Sequence, residues 1–157
     1  MNKKIKIIAI IAILLTISGC QRHELGIFAE LVIFPEGGCG NNERVYYYVV
    51  KNNGTLILYS GVSRNRCHLT SGYVTSRNLM RSVRRREEIK LNEQDFQIIS
   101  ELVNDVVENY NGGGSVFLGR MHITLLHEGG IYGNATGLNI EFHYLRQKLV
   151  QLIPFNR

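Results

Sequence analysis

The stretch from Val45 to Ser60 reads VYYYVVKNNGTLILYS and carries the clearest structural pattern in the chain. Its first part, Val45–Lys51, consists mainly of β-branched and aromatic residues, which are enriched in strands. Asn52-Asn53-Gly54 then supplies a turn that accepts positive φ angles, and Thr55–Ser60 returns with a similar composition. The stretch therefore predicts an antiparallel β-hairpin.

Three consecutive tyrosines, Tyr46, Tyr47 and Tyr48, lie in the first strand of this hairpin. Side chains alternate between the two faces of a strand, so the three rings must divide between the faces. We expect at least one of them at the surface. Cross-strand packing with a solvated hydroxyl is the favoured interpretation, and an aromatic contact site for a sugar or a peptide is the alternative.

Further strands are predicted on both sides of the hairpin. Ile27–Phe34 (IFAELVIF) is apolar enough for a buried strand and ends before Pro35 and two glycines. Val83–Leu91 favours an alternating strand, although a helix also fits its charges. Val116–His127 and Ile131–Gly133 predict a second hairpin, and Gly61–Ser82 is compatible with either a short strand or a helical turn.

Two amphipathic helices complete the prediction. Asn92 can cap a helix by accepting a hydrogen bond from the amide of Asp95, with Leu91 and Phe96 at the hydrophobic-staple positions. Its apolar stripe consists of Phe96, Ile99, Leu102, Val103, Val106, Val107 and Tyr110. The stripe of the second helix, which ends at Pro154, consists of Leu138, Phe142, Leu145, Leu149 and Leu152. The order of elements predicts an α+β domain: an antiparallel sheet of about five to six strands with both helices packed on one face.

The first twenty residues, MNKKIKIIAIIAILLTISGC, have the organisation of a secretory signal peptide. A basic start precedes an apolar run that is too short for a stable membrane span, which needs about 20 residues. The end, Ile17-Ser18-Gly19-Cys20, resembles the lipobox of bacterial lipoproteins. In that family the cysteine receives a diacylglycerol, the chain is cut before it, and the new amino terminus can be acylated, for instance with palmitate.

This resemblance implies residues 1–19 as the signal peptide, Cys20 as the lipidation site, residues 20–26 as a tether and residues 27–157 as one domain. The layout of the mature chain also resembles that of many short bacterial lipoproteins. Acyl chains give stable anchoring, so we expect the domain on the extracytoplasmic side of a membrane. Gln21 stands where the family's common retention signal has Asp, which favours the outer membrane in a bacterium with two membranes.

Two cysteines remain after Cys20. Because exported proteins form disulfides, Cys39 and Cys67 predict one bridge, with two reduced thiols as the alternative. Neither has a second cysteine or histidine at metal-ligand spacing, so no metal site is expected.

The chain of 157 residues has 18 basic and 13 acidic residues, but Lys3, Lys4 and Lys6 lie in the predicted signal peptide. The remainder has 15 basic residues against 13 acidic ones, a net charge of +2. Net charge alone therefore does not indicate nucleic-acid binding. From Arg44 to Arg86, however, there are nine basic residues and no acid, whereas Glu87 to Glu108 contains seven acids and one base.

Arginine suits bidentate contact with phosphate or carboxylate, which are abundant in cell envelopes. The predicted anion-binding residues are Arg77, Arg81, Arg84, Arg85 and Arg86. The alternative is a solvated face that is paired with the acidic helix. No catalytic motif or phosphate loop is recognisable, and no cofactor is expected.

We therefore expect a non-enzymatic, membrane-anchored binding or accessory module that contacts an envelope polymer, a lipid surface or an envelope protein. A small envelope hydrolase or transferase is the first alternative, and a cleft gathering His68, His122 or His143 with a carboxylate would favour it. An immunity or inhibitor lipoprotein is the second alternative.

Overall fold

The computed structural model describes residues 26–35, 43–64, 76–110, 121–133 and 140–155. The predicted signal peptide, Cys20 and the pair Cys39 and Cys67 lie outside these ranges. The elements of the described ranges are β1 (Ile27–Phe34), β2 (Arg44–Lys51), β3 (Thr55–Ser63), α1 (Ser76–Leu79), β4 (Met80–Lys90), α2 (Glu93–Glu108), β5 (His122–His127), β6 (Gly130–Gly133) and α3 (Ile140–Leu152).

The six strands form one antiparallel sheet in the order β4-β3-β2-β1-β5-β6. This confirms the α+β class and the antiparallel sheet. The β2–β3 hairpin is present, and β3 runs to Ser63, three residues further than predicted. The strand interpretation of residues 83–91 is also correct, although β4 begins earlier, at Met80.

Alternate strand residues belong to two separate hydrophobic clusters. The first cluster includes Leu31, Ile33, Tyr46, Tyr48, Leu56 and Leu58 of the sheet, Ile99, Val103 and Val106 of α2, and Phe142, Leu145 and Leu149 of α3. The second cluster includes Val32, Phe34, Val45, Tyr47, Val49, Ile57, Leu79, Met80 and Leu126. Strands β1 and β2 are therefore buried on both faces, which explains why their sequences are mostly apolar or aromatic and do not alternate with polar residues.

The three tyrosines of β2 divide between the clusters as expected, but the prediction of a surface tyrosine is wrong. Tyr46, Tyr47 and Tyr48 are only 8, 2 and 0% exposed. The prediction assumed a sheet with one solvated face, whereas β2 lies in the interior of the sheet and both of its faces are covered.

The start of α2 follows the predicted pattern. The Asn92 side chain accepts a hydrogen bond from the Asp95 amide at 2.7 Å. Leu91 belongs to the first cluster, and the partly buried Phe96 packs against it. Asp95 in turn accepts a hydrogen bond from Lys148 Nζ, also at 2.7 Å. Because Lys148 lies on α3, this ion pair links the two long helices.

The phenol of Tyr48 fastens the end of α3 to the sheet. Its hydroxyl donates to the carbonyl oxygen of Ile153 at 2.7 Å. Burial raises the pKa of Tyr48 above its ordinary value of 10.0. The folded protein therefore keeps this proton to a higher pH than the unfolded chain does.

We expect the free energy of unfolding of Tyr48→Phe to depend less on pH in the alkaline range than that of the wild type. The contribution of Tyr48 is fully present below pH 10, the ordinary value, and is lost as pH rises through the raised pKa. The wild-type free energy of unfolding should therefore fall above that pH by up to about 1.4 kcal/mol per pH unit more than that of the variant. Near neutral pH the variant should be less stable by about 1 kcal/mol, the value of the lost hydrogen bond.

Urea unfolding at a series of pH values measures both effects. Tyr144→Phe is the matched control, because Tyr144 is 49% exposed. Parallel alkaline curves for wild type and Tyr48→Phe would contradict the prediction.

Candidate anion-binding site

An irregularity in β4 brings two neighbouring arginines to one place. In a regular strand, Arg84 and Arg85 would point to opposite faces. The register with β3 shifts, however: Arg85 lies opposite Ser60 and Val83 opposite Gly61, which leaves Arg84 as the extra residue of a β-bulge. Bulges redirect side chains in this way.

Both arginines line an open groove of about 390 Å³. We call it the arginine groove, and its lining residues are Arg44, Tyr46, Ser60, Gly61, Arg84, Arg85 and Phe155. They come from the start of β2, the second half of β3, the bulge of β4 and the segment that follows α3. The groove is thus assembled from four separate parts of the chain.

Arg85 has a structural task in this groove. Its Nε donates to Glu87 at 2.6 Å, and one terminal nitrogen contacts the carbonyl oxygens of Pro154 at 2.9 Å and Phe155 at 3.1 Å. The side chain is only 16% exposed. Arg85 therefore holds the segment after α3 against the sheet.

Arg44 and Arg84 are exposed. Neither makes a hydrogen bond or an ion pair with any side chain or carbonyl of the ranges that the structure describes. Each guanidinium offers five N–H donors in a planar fork that matches a carboxylate or a phosphate. The groove therefore presents two guanidinium groups to solvent, with the Ser60 hydroxyl beside them.

Aromatic packing forms one wall of the groove. The rings of Tyr46 and Phe155 stack with centroids 4.1 Å apart and planes 21° apart. The guanidinium of Arg146 lies 5.8 Å from the Phe155 centroid. Because the phenyl ring packs on β2, the segment after α3 and the sheet form one continuous surface.

The structure brings together only two of the five arginines predicted from the sequence, Arg84 and Arg85. Arg86 is on the opposite face of β4, where it pairs with Glu88 and lies 5.8 Å from the centroid of the Tyr59 ring. Hydrogen bonding to Tyr59 and Glu88 raises the pKa of Arg86. Arg77, on α1, and Arg81, early in β4, are exposed but do not line the groove.

The other five lining residues were not predicted as anion-binding residues: Arg44, Tyr46, Ser60, Gly61 and Phe155. Of these, Tyr46 entered only the alternative interpretation of an aromatic contact site. The sequence contained one signal for Arg44, since this residue opens the basic block and directly precedes the predicted strand Val45–Lys51. The sequence contains no signal for Phe155 as a site residue, because its place in the groove depends on contacts with residues about 70 positions earlier in the chain.

The acidic residues next to the arginines pair within β4 itself. Arg85 contacts Glu87 and Arg86 contacts Glu88, each two positions along the strand. On α2, Asp95 pairs with Lys148 of α3. These pairs are local, so they differ from the expected alternative in which the basic block pairs with the acidic helix.

A smaller cavity, of about 80 Å³, lies at the other end of the sheet. Its lining includes the buried Glu30, which accepts a hydrogen bond from the Tyr47 hydroxyl, and His127. His127 Nδ1 lies 2.8 Å from the Phe28 carbonyl oxygen, which can only accept, so Nδ1 carries the hydrogen of this bond. A cavity of this size has room for a few water molecules.

The described residues contain neither a metal-binding cluster nor a membrane-spanning helix. No group of three or more His, Cys, Asp or Glu side chains among them is arranged to hold a metal ion. No helix within the described ranges combines the length and apolar character needed to cross a membrane.

Comparison with known proteins adds no functional assignment. The sequence matched no protein-family model, and a search of the curated proteins also found no match. The arginine groove is therefore the feature from which a function can be inferred.

Proposed function

We propose that this protein is a lipid-anchored, non-enzymatic binding or accessory module of a bacterial cell envelope, and that the arginine groove is its binding surface. In this proposal residues 1–19 are removed, Cys20 carries the lipid, and the domain begins at residue 27. The lipobox-like end of the first twenty residues supports the anchor. The groove supports the binding role.

One observation carries the proposal: Arg44 and Arg84 flank the groove with no partner among the described residues. Guanidinium groups in proteins commonly pair with carboxylates, as Arg85 and Arg86 do in this chain. Two that remain open beside a hydroxyl and an aromatic wall suit a phosphate or carboxylate ligand. The ligand would come from an envelope polymer, a lipid surface or an envelope protein.

We also propose that α2 and α3 cover the same face of the sheet. Their buried residues share one cluster with Leu31, Tyr48 and Leu58, which lie at alternate positions of their strands. This arrangement supports the groove, because Phe155 follows α3 directly and packs against Tyr46 on that face.

The enzymatic alternative has less support. Its best candidate residues are Glu30 and His127, which line the 80 Å³ cavity. Substrate pockets are usually about 300–1,000 Å³, so this cavity suits water better than a substrate. Of the histidines expected to form such a cleft, His122 lies on β5 and His143 on α3, and His68 lies outside the described residues.

We expect the double variant Arg44→Ser/Arg84→Ser to weaken anion binding about tenfold or more, because each lost contact with an anion is worth about 1 kcal/mol. The affinity of the variant should also depend less on salt, since fewer charges are paired on binding. Titration of the full chain in detergent micelles with fluorescent polyphosphate at several salt concentrations measures both effects.

The matched control is Arg77→Ser/Arg81→Ser, which removes the same formal charge from outside the groove. Its affinity should stay within about threefold of wild type, which corresponds to less than 1 kcal/mol. Equal losses in the two double variants would show that net charge, and not the groove, attracts the anion. No loss in either variant would remove the groove as the binding surface.

A further inference from the structure

From the layout of the sheet we infer that the arginine groove takes the anionic groups of an envelope polymer on the side away from the anchoring membrane, and not the headgroups of that membrane. This inference rests on the proposed function. Its basis is that the chain enters the domain at one end of the sheet, whereas the groove lies at the opposite end.

The chain enters beside the β2–β3 turn. Gly26 accepts a hydrogen bond from the Asn52 amide at 2.7 Å, and Ile27 lies opposite Lys51 in the β1–β2 ladder. We call this region the entry end. If Cys20 carries the lipid, only five residues separate it from Gly26, so the entry end stays close to the membrane.

The groove lies at the opposite end of the same strands. Arg44 is the first residue of β2 and lies opposite Val62, whereas Lys51 is the last residue of β2. Seven residue steps separate Arg44 from Lys51, which is about 23 Å at roughly 3.3 Å per residue. Arg84 lies next to the same end, because its neighbour Arg85 is opposite Ser60.

The charges at the entry end do not favour an anionic membrane. Lys51 and Lys90 lie there, and the Lys90 ammonium donates a hydrogen bond to the Asn53 carbonyl oxygen while keeping its charge. Two acids accompany them: Glu93 opens α2, and Glu128, with a side chain that is 83% exposed, lies in the β5–β6 turn. Mixed charges at this end give an anionic surface little net attraction.

Electrostatic screening separates the groove from the membrane. The Debye length at physiological ionic strength is about 8 Å. When the entry end faces the membrane, a charge about 23 Å beyond that end therefore interacts only weakly with lipid headgroups. A polymer that extends from the membrane into the envelope can reach the groove directly. The two free guanidinium groups would then bind successive anionic groups along that polymer.

The test uses the full lipidated chain inserted in two kinds of vesicle, one of pure phosphatidylcholine and one that is one third phosphatidylglycerol. Fluorescent polyphosphate is titrated onto both at physiological salt. We expect the same affinity on both vesicles within about twofold, and a loss of about tenfold for Arg44→Ser/Arg84→Ser on both. Lys51→Ser, at the entry end, is the matched control and should leave the affinity unchanged.

A different result overturns the inference. One such result is that phosphatidylglycerol lowers the polyphosphate affinity of the wild type well beyond twofold but does not lower that of Arg44→Ser/Arg84→Ser, the groove variant. The groove would then contact the headgroups of the membrane that anchors the protein. If the groove variant and the wild type bind polyphosphate equally on both vesicles, the proposed function itself fails. These two failures are distinguished by the response of the groove variant on phosphatidylcholine alone.

Discussion

Gly61→Ala should lower the free energy of unfolding by about 3 kcal/mol, because the added methyl group has no space. A Cβ at this position would overlap the carbonyl oxygen of Ser82 and would lie only 3.1 Å from Met80 Sδ. The oxygen belongs to the backbone of β4, so only a shift of the whole strand relieves the overlap. Urea denaturation measures the change.

The position of Gly61 connects this stability effect to the groove. Gly61 lies opposite Val83, directly beside the bulge that turns Arg84 into the groove. A shift of β4 would therefore also displace Arg84, and the polyphosphate affinity of the folded variant should fall.

Gly130→Ala is the matched control, because Gly130 also lies in a strand. Its added Cβ would meet the Tyr132 ring, about 2.6 Å away, which is the far end of a side chain that can rotate. The cost should therefore be clearly smaller than for Gly61. Similar losses of unfolding free energy in the two variants would contradict the prediction that the close approach of β3 and β4 excludes a side chain at position 61.

The parts of the fold that depend on local patterns were predictable from the sequence. The strand at residues 27–34 has the predicted bounds, and Asn92 caps α2 as expected. Composition indicates a strand through β-branched and aromatic residues, and a helix start through a short polar side chain before an apolar stripe. These features act within a few residues, so one sequence is enough to detect them.

The candidate site was only partly predictable, because it depends on contacts between distant residues. The basic block pointed to Arg84 and Arg85, but strict alternation would have placed them on opposite faces. The bulge that brings them together lies opposite Ser60 and Gly61 of β3, more than twenty positions before Arg84 in the chain. The same limit explains the error at Tyr46, Tyr47 and Tyr48: whether the second face of the sheet is covered is decided by the whole fold.

Arg85→Met should cost about 2–3 kcal/mol, because it removes the donors for three acceptors at once. The Glu87 carboxylate and the carbonyl oxygens of Pro154 and Phe155 all lose their partner. The Glu87 side chain is 39% exposed, so water can replace part of its lost contact with Arg85. The expected cost in unfolding free energy is therefore smaller than that of breaking a fully buried pair. The unbranched methionine side chain keeps most of the apolar packing, which isolates the polar loss.

In Arg85→Met, the segment after α3 should lose more protection from hydrogen exchange than the sheet does. Amide hydrogen exchange at Ile153 and Phe155 should become faster in Arg85→Met, because the segment loses both carbonyl contacts with Arg85. The bond from the Ile153 amide to Leu149, the Tyr48 hydrogen bond and the ring contacts of Phe155 remain. Arg86→Met is the matched control, since Arg86 is exposed on the opposite face and contacts Glu88. It should change neither stability nor exchange appreciably. If the two variants behave alike, Arg85 is an ordinary surface arginine, and all three groove arginines are then available to an anion.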